Sequence, residues 1–246
     1  MQSRDRVYVV SADRARRLAI VGALRAGRDP PSVRPLAALP SVTELGWGCV
    51  VVVDLRDGLD AVAAAVNARA IGATAWVLIA RSEQAVPAPW LEVAHEENVQ
   101  LLFVPSDDAL DEARLRAAVA AVREHNERRV VAGVLRRCGD LFSGLDDVVR
   151  VVLHDPWGIR RPHQLASALH LSVSRLRRRC ARVGVPRLEH VITLVRWCAC
   201  EFLISDCGMR SARAQEAVGV HDRSNFRRQV RRAKAATTQG ADGPAG

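Results

Sequence analysis

Two stretches in the carboxy-terminal half place arginine and serine side chains where they could hydrogen-bond to a nucleic acid. In the first, Val173, Leu176, Cys180 and Val183 follow one another at intervals of three, four and three residues, so a helix brings them to one face. The rest of that helix's surface is Ser174, Arg175, Arg177, Arg178 and Arg182. In the second, Phe226, Val230 and Ala233 point inward, and Arg223, Ser224, Arg227, Arg228 and Arg231 remain outside. An arginine fork matches guanine O6 and N7, and a serine hydroxyl can reach either a base edge or a phosphate. A run of charge on one helix is ordinarily a solvated face. Two separate helices with the same chemistry point instead to double-stranded DNA.

Each basic helix needs an element to brace it. Leu165, Ala168 and Leu169 give a short preceding helix an apolar face, residues 170–172 make the turn, and Ser172 stands at the N-cap. The pattern repeats with Ala214, Ala217 and Val218, then Gly219 ending the short helix and Asp222 capping the next. A short helix, a tight turn and a basic amphipathic helix is the layout that lays the second helix in a major groove. Between the two lies a helical segment, residues 187–205, with Leu188, Val191, Ile192, Val195, Ala199, Phe202 and Leu203 on its buried stripe. At about 1.5 Å per residue it spans roughly 28 Å. That is close to the roughly 34 Å between successive major-groove faces on one side of DNA.

The stretches QLASALHLSVSRLRRRCARVGVP, LEHVITLVRWCACEFLIS and AQEAVGVHDRSNFRRQVRRAK carry a resemblance. Residues 145–234 resemble the AraC-type DNA-binding domain, with Leu171-Ser172 entering the first reading helix and Gly219 and Phe226 framing the second. The departures are Cys180 where an aromatic is usual, Val220 where Phe is usual, and no aromatic at Val230. The resemblance implies base-facing positions at Ser174, Arg177 and Arg178 in the first helix. In the second it implies Arg223, Ser224, Arg227 and Arg228.

The first half alternates apolar runs with helical patterns. Strands are expected at residues 7–10, 49–53, 76–79 and 101–104, with a Pro-containing stretch at 33–39 and helices at 14–26 and 59–71. A further helix begins near Ala109, capped by Asp107 or Asp108, and runs to Val122. After the polar stretch 123–129 it resumes at Val130, as one long helix or as two joined near His125. Strands apolar throughout belong to a parallel sheet covered on both faces, so the fold class is α/β, doubly wound with five strands, followed by an all-α domain.

This half resembles the response-regulator receiver domain. In CVVVVDLRD, Asp54 ends the third strand at the place of the phosphoacceptor. Phosphoryl transfer to an aspartate also needs carboxylates to hold Mg²⁺ and a lysine to neutralise growing charge. The family's acidic pair reads Ser11 and Ala12 here, with Asp13 next; its hydroxyl position reads Ala80, and its lysine reads Val104. The expectation is a pseudo-receiver that serves dimerisation or partner binding, with Asp54 an ordinary capping carboxylate. The alternative is a phosphorylation-dependent response regulator.

Charge follows the same division. Residues 1–127 carry 14 basic and 17 acidic side chains, whereas residues 128–246 carry 22 and 10, so the net +9 of the chain comes from its second half. No apolar run is long enough to cross a bilayer, the amino terminus is not a secretory signal, and six irregularly spaced cysteines suit a reduced cytoplasmic protein. Cys198 and Cys200 point to different sides of a helix and with Cys207 make a poor metal cage; the seven histidines are scattered. No glycine-rich phosphate loop follows the first strand. An α/β enzyme with a nucleic-acid-binding appendage therefore lacks a catalytic constellation, and neither cofactor nor metal is expected. The organisation expected is a receiver-like domain at 1–122, a connecting helix at 123–144, a DNA-binding domain at 145–236 and a disordered tail at 237–246. The partners expected are double-stranded DNA, a second copy of the chain, and a protein at the amino-terminal domain. A scaffold that has lost DNA contact is the remaining reading.

Overall fold

A computed structural model of the chain describes residues 6–26, 30–38, 48–57, 74–81, 99–105, 110–185 and 187–241. They fall into two compact units, Met1–Arg129 and Val130–Gly246.

The first unit is an α/β fold with a five-stranded sheet. Its strands are β1 (Arg6–Val10), β2 (Ser32–Leu36), β3 (Val50–Asp54), β4 (Ala75–Arg81) and β5 (Val99–Val104), with α1 (Arg14–Arg25) after β1 and α2 (Glu112–Cys138) after β5. All pairings are parallel and the order is β2-β1-β3-β4-β5, the flavodoxin-like form of the doubly wound sheet. Successive side chains point to opposite faces, and both faces are dry. Val7, Val9, Val50, Val52, Val77 and Ile79 pack with Ile20 and Leu24 of α1 and Leu115 and Val119 of α2. On the other face Tyr8, Val10, Val51, Val53, Trp76 and Leu78 form a second buried cluster. That two-sided burial is why the strands read as unbroken apolar runs. The Pro-containing stretch is β2, an edge strand in which exposed Pro35 lies beside Val9. An edge strand tolerates proline because one side of its ladder is empty.

Helix α2 begins at Glu112, not near Ala109. Its start is held by Asp111, whose carboxylate accepts the Arg114 N–H at 2.9 Å, while Asp107 and Asp108 lie outside the described residues, as does the helix expected at 59–71. It is one continuous helix of 27 residues. Its polar middle is rich in good helix formers, and Arg128 pairs with Glu124 one turn earlier. No break at His125 is needed.

Among its described residues the second unit is built from helices. After the end of α2 come α3 (Asp146–His154), α4 (Pro162–Ala168), α5 (Val173–Arg182), α6 (Leu188–Ser205), α7 (Ser211–Ala217) and α8 (Arg223–Ala241). The centre is α6, whose expected stripe from Leu188 to Leu203 is buried together with Leu194, Cys198 and Cys200. Gly133 of α2 permits a close approach to it, since a Cβ there would stand 2.1 Å from the Phe202 ring. The last helix continues to Ala241, past Thr237 where a disordered tail is expected, because no proline interrupts the Ala-Thr run. Among the described residues no helix is long and apolar enough to cross a membrane.

Candidate nucleic-acid interface

Helix α4 opens with Pro162 at its first position, and the Gln164 side-chain oxygen accepts the N–H groups of Arg160 (2.9 Å) and Arg161 (2.8 Å). It is only seven residues long, and its buried residues are Leu165 and Ala166. Ala168, expected on the apolar face, is exposed instead, and Leu169 is half-buried. Less than two helical turns leave a single inward edge, and Ala166 takes it. His170 then reverses the chain with φ 53°, and the Leu171 N–H closes the turn on the Ala166 carbonyl at 2.9 Å. Ser172 caps α5 by accepting the Arg175 N–H at 3.2 Å.

On α5, Leu176 and Cys180 are fully buried and Val173 and Val183 half-buried, so the expected inward face is the one that packs. Burial pushes the Cys180 thiol up to about 11, which makes it an inert packing group. Ser174, Arg175, Arg177, Arg178 and Arg182 are all exposed. Arg179 is not part of that surface. Its guanidinium turns back to Asp147 at 2.6 and 2.7 Å and to the Gly144 carbonyl at 2.6 Å, fastening α5 to the start of α3.

The second basic helix is built likewise. In α7, Ala214 and Gln215 are buried and Ala217 half-buried; Val218 follows, buried, at the C-cap. Gly219 turns the chain at φ +78°, and the Val220 N–H bonds the Gln215 carbonyl at 2.9 Å. Asp222 caps α8 through the Asn225 N–H at 2.9 Å. Phe226, Val230 and Ala233 are buried, and Arg223, Ser224, Arg227, Arg228, Arg231 and Arg232 are exposed. Lys234 leaves that row, its ammonium lying 3.3 Å from the Trp197 ring centroid on α6.

Arg196 of α6 ties the two halves of this unit. Its guanidinium donates to the carbonyls of Pro156 and Ile159, the latter at 3.0 Å, in the loop between α3 and α4. Burial and the nearby Arg160 charge bring its pKa down to about 10. Gly219 rests on the same loop: a Cβ there would meet the Pro156 carbonyl oxygen. The five cysteines of this unit are buried, and no group of His, Cys, Asp or Glu among the described residues is arranged to hold a metal.

In the first unit the end of β3 is closed chemically. The Asp54 side chain is 0% exposed, and the Arg56 side chain 2%. Arg56 Nε donates to one carboxylate oxygen at 2.7 Å, Nη2 to the other at 2.9 Å, and the Arg56 backbone N–H to the first at 3.2 Å. Both oxygens are thus engaged by a fork, and Asp54 caps the 3₁₀ turn Leu55–Asp57. Asp13 is engaged too, as the N-cap of α1. It accepts the Arg16 N–H at 3.1 Å and the Ala15 N–H at 2.7 Å, and the bond to Arg16 chiefly holds its carboxyl below the usual range. Ser11, Ala80 and Val104, which the sequence resemblance set at the acidic, hydroxyl and lysine positions of a receiver, are buried.

No family model and no curated protein matches the chain. Among solved structures it is similar to one described as "Low Resolution Structure of Response Regulator StyR", at 15% identity over 92% of this chain and 98% of that one. The TM-score is 0.36, a likeness too distant to carry function from one chain to the other.

Proposed function

We propose that the chain is a transcriptional regulator that reads double-stranded DNA through two helix-turn-helix units of AraC type, α4–α5 and α7–α8. One observation carries the reading: two capped amphipathic helices bury their apolar stripes and expose rows of arginine and serine, each behind a short helix and a tight turn. In this reading Ser174, Arg177 and Arg178 of α5, and Arg223, Ser224, Arg227 and Arg228 of α8, face base edges. Arg231 and Arg232, farther along α8, face phosphate. The receiver-like unit then acts without phosphotransfer, as a surface for a second copy or a protein partner. The closed pair of Asp54 with Arg56 supports that assignment, because an acceptor oxygen and a metal ligand would both have to be taken from the arginine fork.

Electrophoretic mobility of genomic fragments with the full chain tests it. Retarded fragments that share a sequence are the expected result. A protein that binds no duplex at low salt would be a scaffold instead.

A further inference from the structure

His221 precedes the cap of α8, and Arg160 lies in the loop between α3 and α4, 61 positions earlier in the chain. Both are exposed, yet both are held in place. Arg160 Nε donates to the Trp157 carbonyl at 2.9 Å, and the guanidinium carbon lies 5.7 Å from the Trp157 ring centroid. The same ring meets the His221 imidazole edge-on, with centroids 4.3 Å apart and planes at 69°. Arg160 Nη2 and His221 Nε2 are 2.8 Å apart. A guanidinium can only donate, so in this contact Nε2 is the acceptor.

The charges around this pair are lopsided. Arg196 of α6 donates to the Pro156 carbonyl, close enough to Arg160 for the two charges to be felt together. Arg223, two positions after His221, opens α8. Two carboxylates are near in sequence, and each is turned to a backbone N–H: Asp155 to Gly158 at 2.8 Å and Asp222 to Asn225 at 2.9 Å. Neither Arg160 nor Arg196 forms an ion pair with a carboxylate among the described residues. A cationic corner whose arginines pair with no carboxylate among the described residues, at the start of a helix read here as entering a groove, fits an anion at phosphate spacing.

Resting on the DNA-binding reading above, we propose that Arg160 and His221 seat one backbone phosphodiester of double-stranded DNA. The phosphate takes the guanidinium's donor, the imidazole loses its bond to Arg160, and Nε2 gains a proton from solvent and donates to the phosphate in turn. Imidazole is the side chain whose charge ordinarily changes between about pH 5 and 8. Binding of DNA is thereby coupled to uptake of a proton at this corner.

The test uses the full chain and a short duplex of arbitrary sequence, since phosphate contacts need no operator. Anisotropy titrations across a salt series at about pH 6 and about pH 8 give affinity, salt slope and their pH dependence. Wild type binds more tightly at the lower pH, and His221→Gln narrows that difference by roughly threefold or more. Arg160→Ala weakens binding at both pH values and makes the salt slope shallower by about 0.9, the share of one phosphate, while Arg160→Lys restores the slope. Melting temperatures equal to wild type accompany these exposed changes. If wild type binds but His221→Gln keeps the full pH difference, or Arg160→Ala keeps the full slope, the seat is overturned and DNA binding stands. If wild type binds no duplex, both fail together.

Discussion

The backbone of Gly219 lies against that of Pro156, so closely that a Cβ on the glycine would stand 2.3 Å from the proline's carbonyl oxygen. Gly219 also has φ +78°, where an L side chain is strained. Gly184, after α5, has nearly the same φ, +79°, but nothing within 4 Å of its Cβ position. The pair separates backbone strain from contact. Gly184→Ala is expected to cost about 1 kcal/mol, the left-handed strain alone. Gly219→Ala is expected to cost about 2–3 kcal/mol, because the loop must also move. Urea unfolding of the two variants decides it, and equal losses would refute a role for the Pro156 contact.

Asp54 is expected to take no phosphoryl group from acetyl phosphate with Mg²⁺. Arg56 occupies both of its oxygens, and the buried Ser11, Ala80 and Val104 supply neither a carboxylate nor an ammonium. Phosphate labelling that vanishes in Asp54→Asn would show the opposite. Arg56→Ala leaves the carboxylate buried without its fork and is expected to lower stability by about 3 kcal/mol.

Phe103 is 38% exposed on the edge strand β5. It borders a groove of about 340 Å³ lined by Leu102, Val104, Leu110 and Arg114. An exposed aromatic on an edge strand suits a protein interface. The full chain is expected to sediment as a dimer, and Phe103→Asp to shift it toward monomer. A monomeric wild type at micromolar concentration would contradict the dimer, and an unchanged dimer in the variant would place the interface elsewhere.

Selection of binding sites from random DNA tests the division of labour between α5 and α8. Arg178→Ala is expected to relax preference in one half of the site and Arg228→Ala in the other, each at a cost of about 1–3 kcal/mol. Arg231→Ala is expected to weaken all sequences alike and to flatten the salt dependence. Two variants losing the same bases would exclude a two-groove mode.

Periodicity alone determined which sides of α5 and α8 face outward. Leu176, Cys180, Phe226, Val230 and Ala233 are buried as their spacing requires, because a helix repeats every 3.6 residues whatever it packs against. Local chemistry likewise determined the caps at Ser172 and Asp222, each closed with a backbone N–H three residues on. The unbroken apolar strands implied a parallel sheet because both of its faces are buried.

Contacts between distant segments left no such trace. Arg179 reads as one more arginine of a basic row, and only the fold brings Asp147 to it across 32 positions. His221 reads as one of seven scattered histidines until the loop carrying Trp157 and Arg160 is laid beside it. Asp54 and Arg56 are neighbours in the chain, yet it was their shared burial at the end of β3 that turned a common surface pair into a closed one. The order of the strands was likewise settled in three dimensions. A helical or extended repeat is written by residues a few positions apart. The partner of a side chain depends on how whole elements pack, and that is a property of the folded chain.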